Sequence, residues 1–195
     1  MNHLRDIAEI RMGYTFRGSL KESTQGNTAI IQMKDASQDG VAQREQFART
    51  QLDQFPEHYL LRPGDLIFRS RGLLNTTALI NQALERTICI APLMFIRVTA
   101  PDIVLPAYLQ WFINLTSTQE KMSAYARGAT VRMIPAESME GLEVVLPALE
   151  RQANIIATIE MNQQILALET TLADKRKRYT EEALLQYAKG VNTKA

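Results

Sequence analysis

Leu146-Pro147-Ala148-Leu149-Glu150-Arg151-Gln152-Ala153-Asn154-Ile155 marks the point where a mixed, interrupted pattern gives way to one long helix. Before it, Leu142-Glu143-Val144-Val145-Leu146 reads as a short β-run. Pro147 is suited to open the helix, because the first helical N–H has no intrahelical partner to lose. Beyond it nothing breaks the helix until Gly190. The expected fold is therefore α+β: one mixed globular domain over residues 1–147, a long helix over 148–189 and a frayed tail over 190–195.

Within the globular part, Thr28 to Met33 reads as a strand, and Pro63-Gly64-Asp65 as a turn feeding a strand from Leu66 to Ser70. Thr87 to Val98 is an apolar, β-rich stretch interrupted at Pro92. Pro106 to Leu115 reads as a helix with Pro106 at its start, and Tyr108, Leu109, Phe112 and Ile113 are spaced for one buried face. Trp111 falls off that stripe, to pack on a partner or to cap the core. Thr118 to Ala126 reads as a second short helix with Thr118 as its cap.

Composition narrows the class. A chain of 195 residues suits one medium domain plus an extension, and 46% hydrophobic content excludes disorder. No apolar run reaches bilayer length and the first residues lack a signal-peptide core, so no membrane association and a cytoplasmic location are expected. The single Cys89 excludes an intramolecular disulfide and a cysteine-rich zinc site; in Ile88-Cys89-Ile90 it reads as a buried strand thiol.

The pattern Leu-Pro-x-Leu-x-x-Gln-x-x-Ile at residues 146–155, joining a globular domain to a long helix, resembles the specificity (S) subunits of type I restriction-modification systems. Leu4-Arg5-Asp6-Ile7-Ala8-Glu9-Ile10 with Gly13-Tyr14-Thr15-Phe16-Arg17-Gly18 is similar to the opening of a target-recognition domain in that family. Tyr59 to Phe68, containing Arg62-Pro63-Gly64-Asp65, with Arg71-Gly72 beyond, looks like the family's central Gly-Asp turn and strand. Pro106-Ala107-Tyr108-Leu109 and Gly128-Ala129-Thr130 fit the later helix and loop. Family members commonly carry two recognition domains and two long helices. This chain has one of each, and so looks like half of a specificity subunit.

A net charge of +1 does not advertise a nucleic-acid binder. Its distribution says more. Residues 1–147 hold 15 basic and 15 acidic side chains, and 12 of the basic ones are Arg, whose planar fork suits guanine edges and phosphates. Three stretches concentrate cations without acids: Arg11 to Lys21, Arg69 to Leu84, and Lys121 to Pro135. Residues 127–139 are the best candidate for a DNA-facing loop, since Gly128 permits close approach, Thr130 offers a hydroxyl and a methyl, and Arg127 and Arg132 can neutralise phosphate or read a base. The resemblance places this region near the duplex. The DNA-binding candidates are Arg17, Lys34, Arg69, Arg71, Arg127, Thr130 and Arg132. The competing reading is a set of solvated arginines, with those of the loop paired to Glu137 or Glu140.

On the helix, Ile155, Ile159, Asn162 and Leu166 form one seam, and Met161, Ile165, Leu168 and Leu172 an adjoining one. Together they make a wide apolar face, as in an intermolecular helix bundle or coiled coil. Asn162 either fixes register and partner number or lies at a partly exposed margin. Lys175-Arg176-Lys177-Arg178 points in several directions around the helix, as a solvated surface or a partner contact.

Nothing in the chain signals catalysis. It has no G-x-G-x-x-G or Walker loop, no Asn-Pro-Pro-Tyr-like methyltransferase motif, and only the separated His3 and His58. Pro101-Asp102 lacks the Glu-x-Lys or Asp-x-Lys partner of a nuclease motif. The resemblance implies a non-catalytic subunit that reads double-stranded DNA, forms an antiparallel homodimer through its helix, and docks modification subunits and, where one is present, a restriction subunit. S-adenosylmethionine for adenine methylation, and ATP with Mg for cleavage, would then belong to those partners. The alternatives are a helical oligomerisation or adaptor protein that never touches DNA, and the recognition module of another methylation-based defence system.

Overall fold

The computed structural model describes residues 2–16, 18–37, 40–72, 75–125 and 133–190. In chain order these form β1 (Asn2–His3), α1 (Leu4–Ile7), β2 (Ala8–Met12), β3 (Thr28–Ile31), β4 (Ala36–Ser37), β5 (Gly40–Val41), β6 (Ala48–Thr50), β7 (Leu66–Arg69), β8 (Thr77–Leu79), β9 (Thr87–Cys89), β10 (Leu93–Val98), α2 (Pro106–Asn114), α3 (Thr116–Tyr125), α4 (Ala136–Glu140), β11 (Glu143–Val144) and α5 (Leu149–Ala188). The chain divides into two compact units, Met1–Ala153 and Asn154–Ala195. The α+β class and the long C-terminal helix expected from the sequence are both present.

An antiparallel sheet in the order β2-β10-β7-β8 faces a smaller one, β6-β3-β9, in which β3 and β9 run parallel. The period of two along each strand builds the core between them: Ile67, Ala78, Leu93 and Phe95 from the larger sheet meet Ala29, Ile31 and Cys89 from the smaller. Leu66, Phe68, Met94 and Ile96 alternate with these and are also fully buried, so the central strands are apolar on both faces. Gly13 makes the join between the sheets: a Cβ there would lie 2.7 Å from the Ile90 carbonyl carbon, and its N–H donates to Leu93 O at 2.7 Å.

Two polar devices hold the larger sheet. Asp65, after Gly64 at φ +92°, accepts from the Arg62 backbone N–H at 2.8 Å and from the Arg97 guanidinium at 2.8 and 2.6 Å. This largely buried pair ties the turn before β7 to β10, and the Asp65 carboxylate raises the pKa of the Arg97 guanidinium above its ordinary value. At β8 the Asn114 amide accepts from Thr77 N and donates to Thr77 O, both at 2.8 Å, so α2 covers that strand edge as another strand would.

Local boundaries moved for identifiable reasons. β3 stops at Ile31 because the Asp35 carboxylate accepts from Gln32 N at 2.8 Å and closes a 3-10 turn over Met33–Asp35. Thr118 is not a cap: α3 begins at Thr116, Thr118 N donates to Leu115 O at 2.9 Å, and its side chain is buried in the first turn. The β-run before the helix shrinks to Glu143–Val144, because its partner β1 offers only Asn2 and His3. Pro147 lies just outside the helix, since Ala148 O is the first acceptor, taking Arg151 N at 2.9 Å and Gln152 N at 3.1 Å. On α2, Tyr108, Leu109 and Ile113 are buried while Phe112 is half-buried; Trp111 is half-buried with its ring 5.3 Å from that of Tyr108. Among the described residues no helix is long and apolar enough to cross a membrane.

The start of α5 is fixed by Gln152, which is fully buried. Its amide oxygen accepts from Leu105 N at 2.9 Å, and its amide nitrogen donates to Ile103 O at 2.7 Å and Pro147 O at 2.8 Å. Tyr108 adds a phenol donating to Val145 O at 2.7 Å, and burial raises its pKa. Replacing Gln152 by Ala strands three backbone groups and should cost about 1–3 kcal/mol in urea unfolding. Asp65→Ala, which leaves the Arg97 guanidinium unpaired, should cost more, about 3–5 kcal/mol.

Candidate nucleic-acid interface

Of the seven candidate DNA-binding residues, Lys34, Arg69 and Arg71 are described; Arg17, Arg127, Thr130 and Arg132 lie outside the described residues. Arg69 and Arg71 lie two residues apart at the end of β7, and a side-chain hydrogen bond from Arg69 brings the segment that carries Lys34 beside them. Arg69 closes β7, is half-buried, and donates through Nη1 to Ala36 O at 3.2 Å. Ala36 opens β4 directly after the 3-10 turn that presents Lys34 to solvent.

Arg71 is exposed and forms an antiparallel bridge with Met133, and Ile134 N donates to Ser70 O at 2.9 Å. Met133 follows Arg132 in sequence. Asn75 Nδ2 donates to Arg69 O at 2.9 Å, and Gln119 Nε2 donates to Asn75 O at 3.0 Å and Ile113 O at 2.7 Å, bracing this corner against the helices.

Among the described residues none of Lys34, Arg69 and Arg71 has a carboxylate within ion-pair distance. Arg69 Nε is buried without a partner among them, and the guanidinium donates through Nη1 to one backbone carbonyl, Ala36 O. Uncompensated cations at a sheet corner next to a loop make a surface that attracts phosphate.

Other arginines are structural. Arg97 is engaged by Asp65, Arg49 Nε donates to Gly26 O at 2.9 Å, and Arg86 donates to Leu52 O at 2.9 Å while lying 4.6 Å over the Phe55 ring. The excess of Arg over Lys in this domain therefore has two sources, and composition alone cannot separate them. Residues flanking Arg17 belong to an aromatic cluster: Tyr14 packs edge-on against Phe16 at 5.0 Å, Tyr59 at 5.3 Å and Phe55 at 6.3 Å. Sequence reasoning missed the bracing amides of Asn75, Asn114 and Gln119, because isolated polar side chains carry no periodic signal.

No group of three or more potential metal ligands occurs among the described residues. Cys89 is fully buried, and desolvation pushes its thiol up to about 12. On the helix, Met161, Ile165, Leu166, Leu168 and Leu172 are 47–69% exposed, and Ile155 and Ile159 are half-buried. Asn162, in the first seam, is exposed.

No protein-family model and no curated protein matches the sequence. Solved structures do. The type I restriction-modification S subunit from M. genitalium aligns with 95% of this chain at a TM-score of 0.58 and 13% identity. The HsdS subunit from Thermoanaerobacter tengcongensis aligns with 97% at 0.66 and 20%. A chain from a structure on complex assembly and conformational transition of the type I R-M system aligns with 95% at 0.66 and 22%. These alignments cover 42–44% of those chains, so this chain spans less than half their length. It has the fold of one half of such an S subunit.

Two measurements check this reading of the site. Arg71→Ala should leave thermal stability unchanged and reduce the salt slope of DNA binding by about one unit, whereas Arg69→Ala should also destabilise the fold. Cys89 should not react with a thiol reagent at pH 8, where its thiol stays protonated and buried, and should react fully once urea unfolds the chain.

Proposed function

We propose that this chain is a half-length DNA-specificity subunit of a type I restriction-modification system. Residues 1–147 would read one half-site, and the helix over 148–189 would pair with a second copy and dock modification subunits. Catalysis, S-adenosylmethionine and ATP with Mg belong in this reading to the partners, and the complex works in the cytoplasm.

One observation carries the proposal: within a fold shared with half an S subunit, a 40-residue helix leaves a broad apolar face in water. Soluble monomers rarely tolerate such a strip, so a second helix is its natural cover. Charge favours an antiparallel copy. Residues 149–174 of the helix hold four carboxylates (Glu150, Glu160, Glu169, Asp174) and one cation, whereas residues 175–188 hold four cations and two carboxylates. Antiparallel pairing sets the acidic part against the basic one; parallel pairing sets like against like.

The uncompensated corner of Lys34, Arg69 and Arg71 supports DNA as the ligand of the globular unit. It also speaks against a purely structural adaptor, which has no use for clustered, unpaired cations.

Sedimentation should find a dimer at micromolar concentration. Ile159→Glu with Leu166→Glu should give folded monomers that no longer support methylation; a wild-type monomer would refute the assembly. Because twofold protein symmetry is mirrored in its site, methylation mapping in cells should return an interrupted inverted repeat. A continuous or asymmetric site would count against two identical recognition units.

A further inference from the structure

The connection from β7 to β8 carries Arg71, whose guanidinium has no carboxylate beside it among the described residues, yet the backbone around it is held from several sides. Arg71 forms a backbone bridge with Met133. Just before it, Ser70 Oγ donates to Pro92 O, and Ser70 O accepts from Ile134 N at 2.9 Å. Across the base of the connection, Asn75 Nδ2 donates to Arg69 O at 2.9 Å and Arg69 N donates to Thr76 O at 3.0 Å. Ser70 and Asn75 are both buried, so the groups that make these bonds are costly to leave unpaired.

Gln119, in the first turns of α3, supplies the outer support. Its amide nitrogen directs both protons at main-chain carbonyls: Ile113 O at 2.7 Å and Asn75 O at 3.0 Å. Ile113 O lies in the last turn of α2, where carbonyls lack intrahelical partners, so the first bond serves the helix end. The second does not. It reaches 44 positions back along the chain, to the residue whose own side chain grips Arg69 O. Gln119 thus fixes Asn75, and Asn75 fixes the carbonyl two residues before Arg71.

We propose that Asn75 and Gln119 are positioning residues for the DNA-binding corner, acting through Arg71 by holding the backbone beneath it in the conformation that meets a phosphate. This rests on the reading of the globular unit as a DNA-recognition domain. A cation displayed on a fixed backbone has less freedom to lose on binding than one on a loose connection, so the two amides contribute affinity from behind the surface.

The test is a double-mutant cycle on the full chain, read by binding to a mixed-sequence DNA duplex at low salt and by thermal unfolding. Gln119→Met keeps the length of the side chain and removes both donors. It should weaken binding about tenfold when Arg71 is present. In an Arg71→Ala background the same change should weaken binding by about twofold or less, because the group it positions is gone, while Tm falls equally in both backgrounds. A Gln119→Met effect on affinity that is the same in both backgrounds, or absent from both, overturns the positioning role and leaves DNA recognition standing. Should Gln119→Met fail to fold, Asn75→Ala, which cuts only the side-chain link to Arg69 O, enters the same cycle with the same two outcomes. A wild-type chain that binds no duplex at any salt concentration overturns the positioning role and the DNA reading together.

Discussion

The burial of one neutral amide, that of Gln152, governs how this chain is put together. Removing an amide from water is costly unless its bonding capacity is used, and here both ends are used on backbone. The loop before α2, the segment leaving β11 and the first turn of α5 converge on it. A charged residue would meet the wrong mixture of one donor and two acceptors; a primary amide supplies one acceptor and two donors from a single group. The helix start is thereby a property of the folded domain and not of helix propensity alone, which is weak at a terminus.

Legibility in the sequence follows the range of the interactions. The long helix is written in an uninterrupted run between Pro147 and Gly190, and α2 in its proline start and apolar spacing, because both depend on neighbours within a few turns. The strands are three to six residues in the main sheets, and their ends are decided by partners elsewhere. Thus Asp35 ends β3, and β1 limits β11. The Asp65–Arg97 pair spans 32 positions and nothing local announces it. Gly64-Asp65 was readable as a turn, but not as the anchor for β10.

The candidate interface shows the same division. Acid-free clusters of cations were visible as composition, yet composition counted Arg49, Arg86 and Arg97, which serve backbone carbonyls and a carboxylate. Convergence of Lys34, Arg69 and Arg71 required the Arg69–Ala36 hydrogen bond and the Arg71–Met133 bridge, contacts between segments about thirty and sixty residues apart. The apolar seams of the helix follow from helical period alone, and Met161, Ile165, Leu166, Leu168 and Leu172 are exposed along it. What they leave exposed contrasts with the sheet, whose β8 edge is filled by Asn114. Association through that strand edge is discouraged, and the large exposed apolar side chains lie mostly on the helix instead.

The pairing of β1 with β11 has a consequence for how such chains can change. Asn2 lies beside Val144 across a ladder only about 4.8 Å wide, so the chain enters and leaves the globular unit at one place. Everything between those residues behaves as a cassette with adjacent ends. Exchanging it for another cassette of different surface leaves both joints where they were, as for domains whose termini sit side by side. Recombination at the two ends of this small ladder would replace the surface of the whole unit in a single event, with the helix inherited intact.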